Sequence, residues 1–120
     1  MTRINCVPAE ELSRQHLVAE WRELPRVFRL AANACAAGKT LRAPDRYTLG
    51  AGHVKFFYTR LGFIGRRWQE LRDEMLRRGY TPGFDAPPTV EVCDDWLQDW
   101  TPDAEAISIN RARIAERTKQ

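Results

Sequence analysis

The sequence predicts an all-α fold: a compact single domain, residues 1–120, of three main helices with long irregular connections, the first helix kinked at Pro25. Apolar residues recur at the helical period in two long stretches, no segment alternates as a strand would, and prolines and glycines collect between the stretches. A chain of 120 residues falls within the usual span of one domain. It can bury about two-thirds of its unfolded surface, enough for a core without staples. Apolar residues make up 43% and charged residues 29%, a balance that excludes disorder along most of the chain.

The first helix is expected from about Ala9, with Glu10 and Glu11 at its positive end, to about Ala36. At 100° per residue Leu17, Trp21, Leu24, Phe28, Ala31 and Cys35 fall within about 80° of one another, which makes a core stripe. Gly38 is its stop signal, and Pro25 inside it removes one backbone bond and predicts a kink. Lys39 to Leu49 reads as a connection. Gly50, Ala51 and Gly52 then lead into a second stripe of Phe57, Leu61, Ile64, Trp68, Leu71 and Met75, ending at Arg77-Arg78-Gly79. That glycine stretch reads as a helix-start turn more readily than as a phosphate cradle. Tyr80 to Pro102 holds four prolines and reads as an ordered irregular wrap anchored by Trp96 and Trp100. Thr101-Pro102-Asp103 opens the last helix, with proline at its first position, and the helix runs into Arg111, Arg113, Arg117 and Lys119.

The net charge of +3 conceals a segregation. Between Tyr80 and Asn110 there are seven acids and no Lys or Arg, while the rest of the chain carries 19 basic residues against nine acids. Sixteen of the 19 are Arg, whose planar fork grips phosphate, so a polyanionic partner is the first expectation. Composition alone leaves a GC-rich genome as an equal explanation. No apolar run approaches the ~20 residues that span a bilayer, and the N-terminus has no signal-peptide core, so a cytoplasmic protein without a membrane partner is expected. Cys6, Cys35 and Cys93 are odd in number and far apart, as free thiols in a reducing compartment would be. With two histidines and scattered cysteines no catalytic metal is expected, and nothing requires a cofactor.

Opposite the core stripe, Gln15, Ala19, Arg22 and Arg26 share the polar face of the first helix. His16 and Glu23 lie on its flank, about 10.5 Å apart along the axis. Read from the residues alone, Glu23 with Arg22, Arg26 and Arg3 also fits a solvated ion-pair network, and a histidine placed like His16 is more often a structural surface residue. The N-terminus adds a nucleophile. Removal of Met1 before the small Thr2 leaves an α-amine of reference pKa ~7.8 against ~10.4 for Lys, so its neutral fraction at pH 7 is some hundreds of times larger. A neutral amine is the group that attacks an electrophilic sugar carbon or aldehyde.

Met1-Thr2-Arg3-Ile4-Asn5, followed by Gln15-His16-Leu17-Val18-Ala19-Glu20-Trp21-Arg22-Glu23-Leu24-Pro25-Arg26-Val27-Phe28, resembles the phage-type endonuclease V family. These are pyrimidine-dimer DNA glycosylases with an associated abasic-site lyase activity. Leu49-Gly50-Ala51-Gly52-His53-Val54 with Phe56-Phe57-Tyr58 is similar to the family's second block, and Ser108 to Arg117 to its third helix. The resemblance implies the same compact three-helix fold.

By that resemblance Thr2 is the nucleophile whose α-amine attacks C1′, expels the base and forms an imine. Glu23 is the carboxylate that stabilises the cationic sugar and assists proton removal from C2′. Arg3, Arg22 and Arg26 hold phosphates and the reacting sugar, Gln15 and His16 line the same site, and Arg113 and Arg117 touch the backbone near the lesion. The implied partner is double-stranded DNA containing pyrimidine dimers or abasic sites, bound by a monomer with no required protein partner, metal or cofactor. The family kinks the duplex and flips the nucleotide opposite the dimer into a cavity, as chemistry on a stacked base demands. Its aromatic, basic tail has no counterpart in these residues and the connection before Leu49 is shorter; neither carries a catalytic group. Two other readings stand beside this one: the same scaffold acting on other damaged bases or abasic sites, and a non-catalytic DNA-binding domain. The second has no use for Thr2 and Glu23.

Overall fold

Ser13 decides where the first helix starts. Its backbone is extended and its hydroxyl accepts the His16 amide, so α1 (Arg14–Ala36) begins one residue later. The expected start at Ala9 is thereby corrected: Ala9–Glu11 form a separate 3-10 turn that Leu12, in extended conformation, brings to a close. In the computed structural model, which describes residues 4–38, 44, 46–49, 52–83, 91–92 and 94–118, α1 runs through Pro25 and stops at Ala37. Gly38 follows with φ +65°, the left-handed conformation expected of a helix terminator.

The second apolar stripe divides. Gly52, at φ +86° and within 3.0 Å of the Pro44 ring if it carried a Cβ, starts the short α2 (His53–Phe56). Phe57 caps that turn, and α3 (Leu61–Arg77) begins only after Arg60. The last helix, α4 (Ala104–Thr118), also starts later than expected. Asp103 accepts the Ala106 amide on its carboxylate and the Ile107 amide on its carbonyl, so Asp103 is the cap. Pro102 therefore stands before the cap and not at the first helical position. Among the described residues no strand forms; Arg60 and Leu97 make one isolated antiparallel bridge.

α1 packs on α3. The Trp21 and Trp68 rings meet at 5.2 Å, and Leu17, Leu24, Val27, Phe28 and Ala31 are buried with Ile64, Leu71 and Met75. Cys35, at the far end of the predicted stripe, is only half-buried. A second aromatic group fills the space beneath α2. Trp100 stacks on Tyr47 at 5.8 Å and meets Phe56 and Phe63 edge-on at 5.0 and 4.9 Å. The segment carrying Trp100 docks on the first turn of α3, where the Gly62 and Phe63 amides donate to the Gln98 carbonyl. A Cβ on Gly62 would stand 2.6 Å from the Leu97 carbonyl oxygen, so only glycine permits that approach.

Buried charge ties these layers to the N-terminal segment. Arg67 of α3 and Glu20 of α1, 2% and 0% exposed, form two hydrogen bonds of 2.8 and 3.0 Å. Arg67 also donates to the Val7 carbonyl at 2.6 Å, and Glu20 accepts from the Asn5 amide at 2.8 Å. Asn110 of α4 completes the circuit: its Nδ2 donates to Asn5, while its Oδ1 accepts the Cys6 and Val7 amides at 2.7 and 3.1 Å. Glu70 accepts the Ala9 amide. At the other end of α3 the Arg77 guanidinium, and then Arg78, hold the Glu74 carboxyl down at about 2 from an ordinary 4.5. Arg78 in turn donates to the Leu12 carbonyl at 2.7 Å.

Two stability predictions follow from these pairs. Glu20→Gln leaves Arg67 buried with half of its pairing gone and should cost about 3–5 kcal/mol, the usual penalty for breaking a buried pair from one side; a denaturant midpoint measures it. Glu74 is charged in the folded protein down to about 2 but takes up a proton near 4.5 when unfolded, so its contribution is complete above pH 4.5 and vanishes as pH falls toward 2. The gap in melting temperature between the wild type and Glu74→Gln should therefore be widest at neutral pH and close across that interval.

Candidate active site

Thr2 and Arg3 lie outside the described residues, as do Gly50 and Ala51. The next residue, Ile4, is fully buried, and both of its main-chain polar groups are held. Its N–H donates to His53 Nε2 at 2.9 Å and its carbonyl accepts the Tyr47 hydroxyl at 3.1 Å. Cys6 stands close by in the sequence but burial pushes its thiol up to about 12, so it offers no thiolate at neutral pH.

α1 presents the predicted polar face. Arg22 and Arg26 are exposed, and Glu23 is half-buried with its side chain 33% exposed. Arg26 Nη1 donates to Glu23 Oε2 at 2.9 Å, the ion pair that the spacing of three residues allows. Gln15 is exposed. His16 is half-buried and its Nδ1 lies 3.1 Å from the Ser13 hydroxyl, so the ring is tied to the start of its own helix.

An open groove of about 750 Å³ runs along this side of α1. Arg14, Arg22, Arg26 and Arg29 line it, with Trp21 and Pro25 beneath them and Met75 and Tyr80 to Pro82 forming the other wall. The Trp21 indole donates to the Pro82 carbonyl at 3.1 Å, which fixes that wall against the helix. Arg14 stands over the Tyr80 ring, 5.6 Å from its centre. Four guanidinium groups beside a clamped carboxylate make a surface for an anion chain with an acid–base group at its margin.

The structure thus brings Arg22 and Arg26 into one groove with Glu23 attached through Arg26. Gln15 and His16 do not line the groove. Arg113 and Arg117 lie apart from it on α4. Arg117 is exposed; Arg113 is 29% exposed, its Nη1 is 3.8 Å from Glu116, and its buried Nε has no hydrogen-bond partner among the described residues. Among those residues no three His, Cys, Asp or Glu side chains gather in a metal-holding group, and no helix is long and apolar enough to cross a membrane.

Two groove residues escaped the sequence reading. Arg14 and Arg29 recur eight residues before and seven after Arg22, which at 100° per residue puts all three within about 80° of one another. That signal was available. Glu20 and Arg67 also escaped it: each lies at the edge of an apolar stripe, where helical periodicity does not separate a buried charge from a solvated one. A family model described as pyrimidine dimer DNA glycosylase matches residues 1–87 of the 120.

Proposed function

We propose how this chain, which belongs to the pyrimidine dimer DNA glycosylase family, removes its lesion: the Thr2 α-amine attacks C1′ of a nucleotide in a cyclobutane pyrimidine dimer. The N-glycosidic bond breaks, the base leaves C1′ with the electron pair and takes up the proton the amine gives up while the cyclobutane ring keeps it joined to its neighbour, and the sugar opens to an imine between C1′ and the amine. Removal of a C2′ proton then expels the 3′ phosphate by β-elimination, which is the abasic-site lyase step. The observation that carries this reading is the Glu23 carboxylate, half-buried and held by Arg26 at the margin of the arginine groove. There it faces two tasks of opposite timing, stabilising the cationic sugar and then accepting the C2′ proton.

The groove supplies the binding. Arg22 and Arg26, extended by Arg14 and Arg29, form a track for phosphates, and Arg3 with Arg113 and Arg117 contacts the duplex further along. Gln15 and His16 act as polar contacts beside the track. A nucleotide flipped from the stack is the geometry this chemistry needs, since C1′ is shielded within the duplex. The protein acts as a monomeric single domain on cellular DNA.

Borohydride added during turnover tests the covalent step. It should reduce the imine and leave protein attached to dimer-containing DNA, and an uncleavable N-terminal extension should abolish the attachment. Glu23→Gln keeps the shape of the side chain and should slow excision by about 10²–10⁴-fold while binding survives. Attachment at full yield with the extended protein would move the nucleophile to a lysine, and near wild-type excision by Glu23→Gln would remove this face from the chemistry.

The phosphate track has its own measurement. Each arginine that neutralises a phosphate releases condensed counterions, so the log–log salt slope of binding should fall by about one for each of Arg14→Ala, Arg22→Ala and Arg29→Ala. Damaged and undamaged duplexes should weaken alike, because phosphate contacts position the protein without reading the lesion. Arg117→Ala should behave in the same way. An unchanged slope in the Arg14/Arg29 double variant would confine the track to Arg22 and Arg26.

A further inference from the structure

We infer that His53 and Tyr47 are positioning residues that set where the N-terminal amine stands, an inference that rests on the Thr2 reading above. Ile4 is clamped from both sides by one distant segment: His53 Nε2 accepts its N–H at 2.9 Å and the Tyr47 hydroxyl donates to its carbonyl at 3.1 Å. A backbone N–H only donates, so Nε2 carries a lone pair and the ring proton sits on Nδ1, which donates to the Thr48 carbonyl at 2.8 Å. The tautomer is therefore set by the second bond, and the second bond orients the ring for the first.

Neither clamp can drift. His53 is 2% exposed and meets Tyr47 and Phe57 edge-on at 5.6 Å from each. Tyr47 is buried, with its ring stacked on Trp100 and crossed by Phe56. Behind Ile4 the chain is held again, because Asn5, Cys6 and Val7 are bonded to Glu20, Asn110 and Arg67. The α-amine of Thr2 is two residues from the Ile4 nitrogen, so its reach from this anchor is at most about 7 Å. A nucleophile displaced by about 1 Å can lose on the order of 10²-fold in rate, and this anchor is the nearest described point that restrains it. Burial of Ile4 alone needs only that its polar groups be paired. Two orienting bonds from side chains that are themselves locked do more than that, because they fix a direction.

The test separates orientation from folding. Tyr47→Phe removes one clamp and keeps the stacked ring; His53→Leu removes the other; His53→Gln retains an oxygen acceptor near the place of Nε2. Single-turnover imine trapping with borohydride, the dissociation constant for dimer-containing duplex and a melting curve are measured on each. Tyr47→Phe and His53→Leu should slow trapping by about tenfold or more while the dissociation constant stays within about twofold, and His53→Gln should recover most of the rate. A folded Tyr47→Phe protein that traps at the wild-type rate overturns the inference, as does a rate that falls only in step with DNA binding. Because Tyr47→Phe keeps the core ring, it decides the matter even where His53→Leu fails to fold. The uncleavable N-terminal extension is run alongside. Trapping that survives the extension sinks the Thr2 reading itself; trapping that is abolished by it but indifferent to Tyr47→Phe sinks only the positioning role.

Discussion

Glu20 and Arg67 face each other where water does not reach, and the fold is arranged so that neither is left short of a partner. Removing two such ions from water costs several kcal/mol each, and their attraction repays this only when every remaining donor and acceptor is met. Asn5, Val7 and Glu70 meet them, and Asn110 in turn holds Asn5. The consequence is topological. Satisfying one ion pair between α1 and α3 brings Asn5 to Glu20 and Val7 to Arg67, and Asn110 ties α4 to the same segment, so four separate parts of the chain are fixed by one polar circuit. Burial alone also raises the cost of an ion at this place, but contact with Glu20 outweighs it and holds Arg67 protonated.

One turn of α1 then does two different jobs. Glu20 and Glu23 are three residues apart and chemically the same group, yet the first is sealed in the core and the second is half-exposed at a groove lined by arginines. The first spends its charge on architecture. The second is held by Arg26 at 2.9 Å and stands at the groove edge, where the chemistry proposed above asks for a carboxylate. A helix surface rotates by about 100° per residue, and a step of three residues is enough to carry a side chain from the core edge to the groove edge.

The acidic stretch near the C-terminus is part of the same economy of charge. Asp99 pairs with Arg66 at 2.6 Å, with its carboxyl held below the usual range by that contact, and Glu11 receives Arg111 at 2.9 Å. Those arginines are committed to acids. Arg14, Arg22 and Arg29 in the groove are exposed, with Arg14 over the Tyr80 ring, and Arg26 pairs with Glu23. Segregation of charge along the sequence therefore becomes segregation on the surface only after the pairs have formed.

By itself the sequence determined the helical class, the core stripes of α1 and α3, the stop at Gly38 and the polar face bearing Arg22, Glu23 and Arg26, because each of these is a local pattern with a fixed period or a fixed residue requirement. It also carried the family resemblance that the match over residues 1–87 bears out. Only the tertiary structure decided the rest. Ser13 and Asp103 won the helix starts from Ala9 and Pro102 because a side-chain cap satisfies an amide that proline or alanine cannot. Glu20 and Arg67 lie 47 residues apart, and His53 lies 49 residues from Ile4. Pairings of that range obey no period. They exist because a buried donor without an acceptor is costly, and the identity of the acceptor emerges only when the helices have packed.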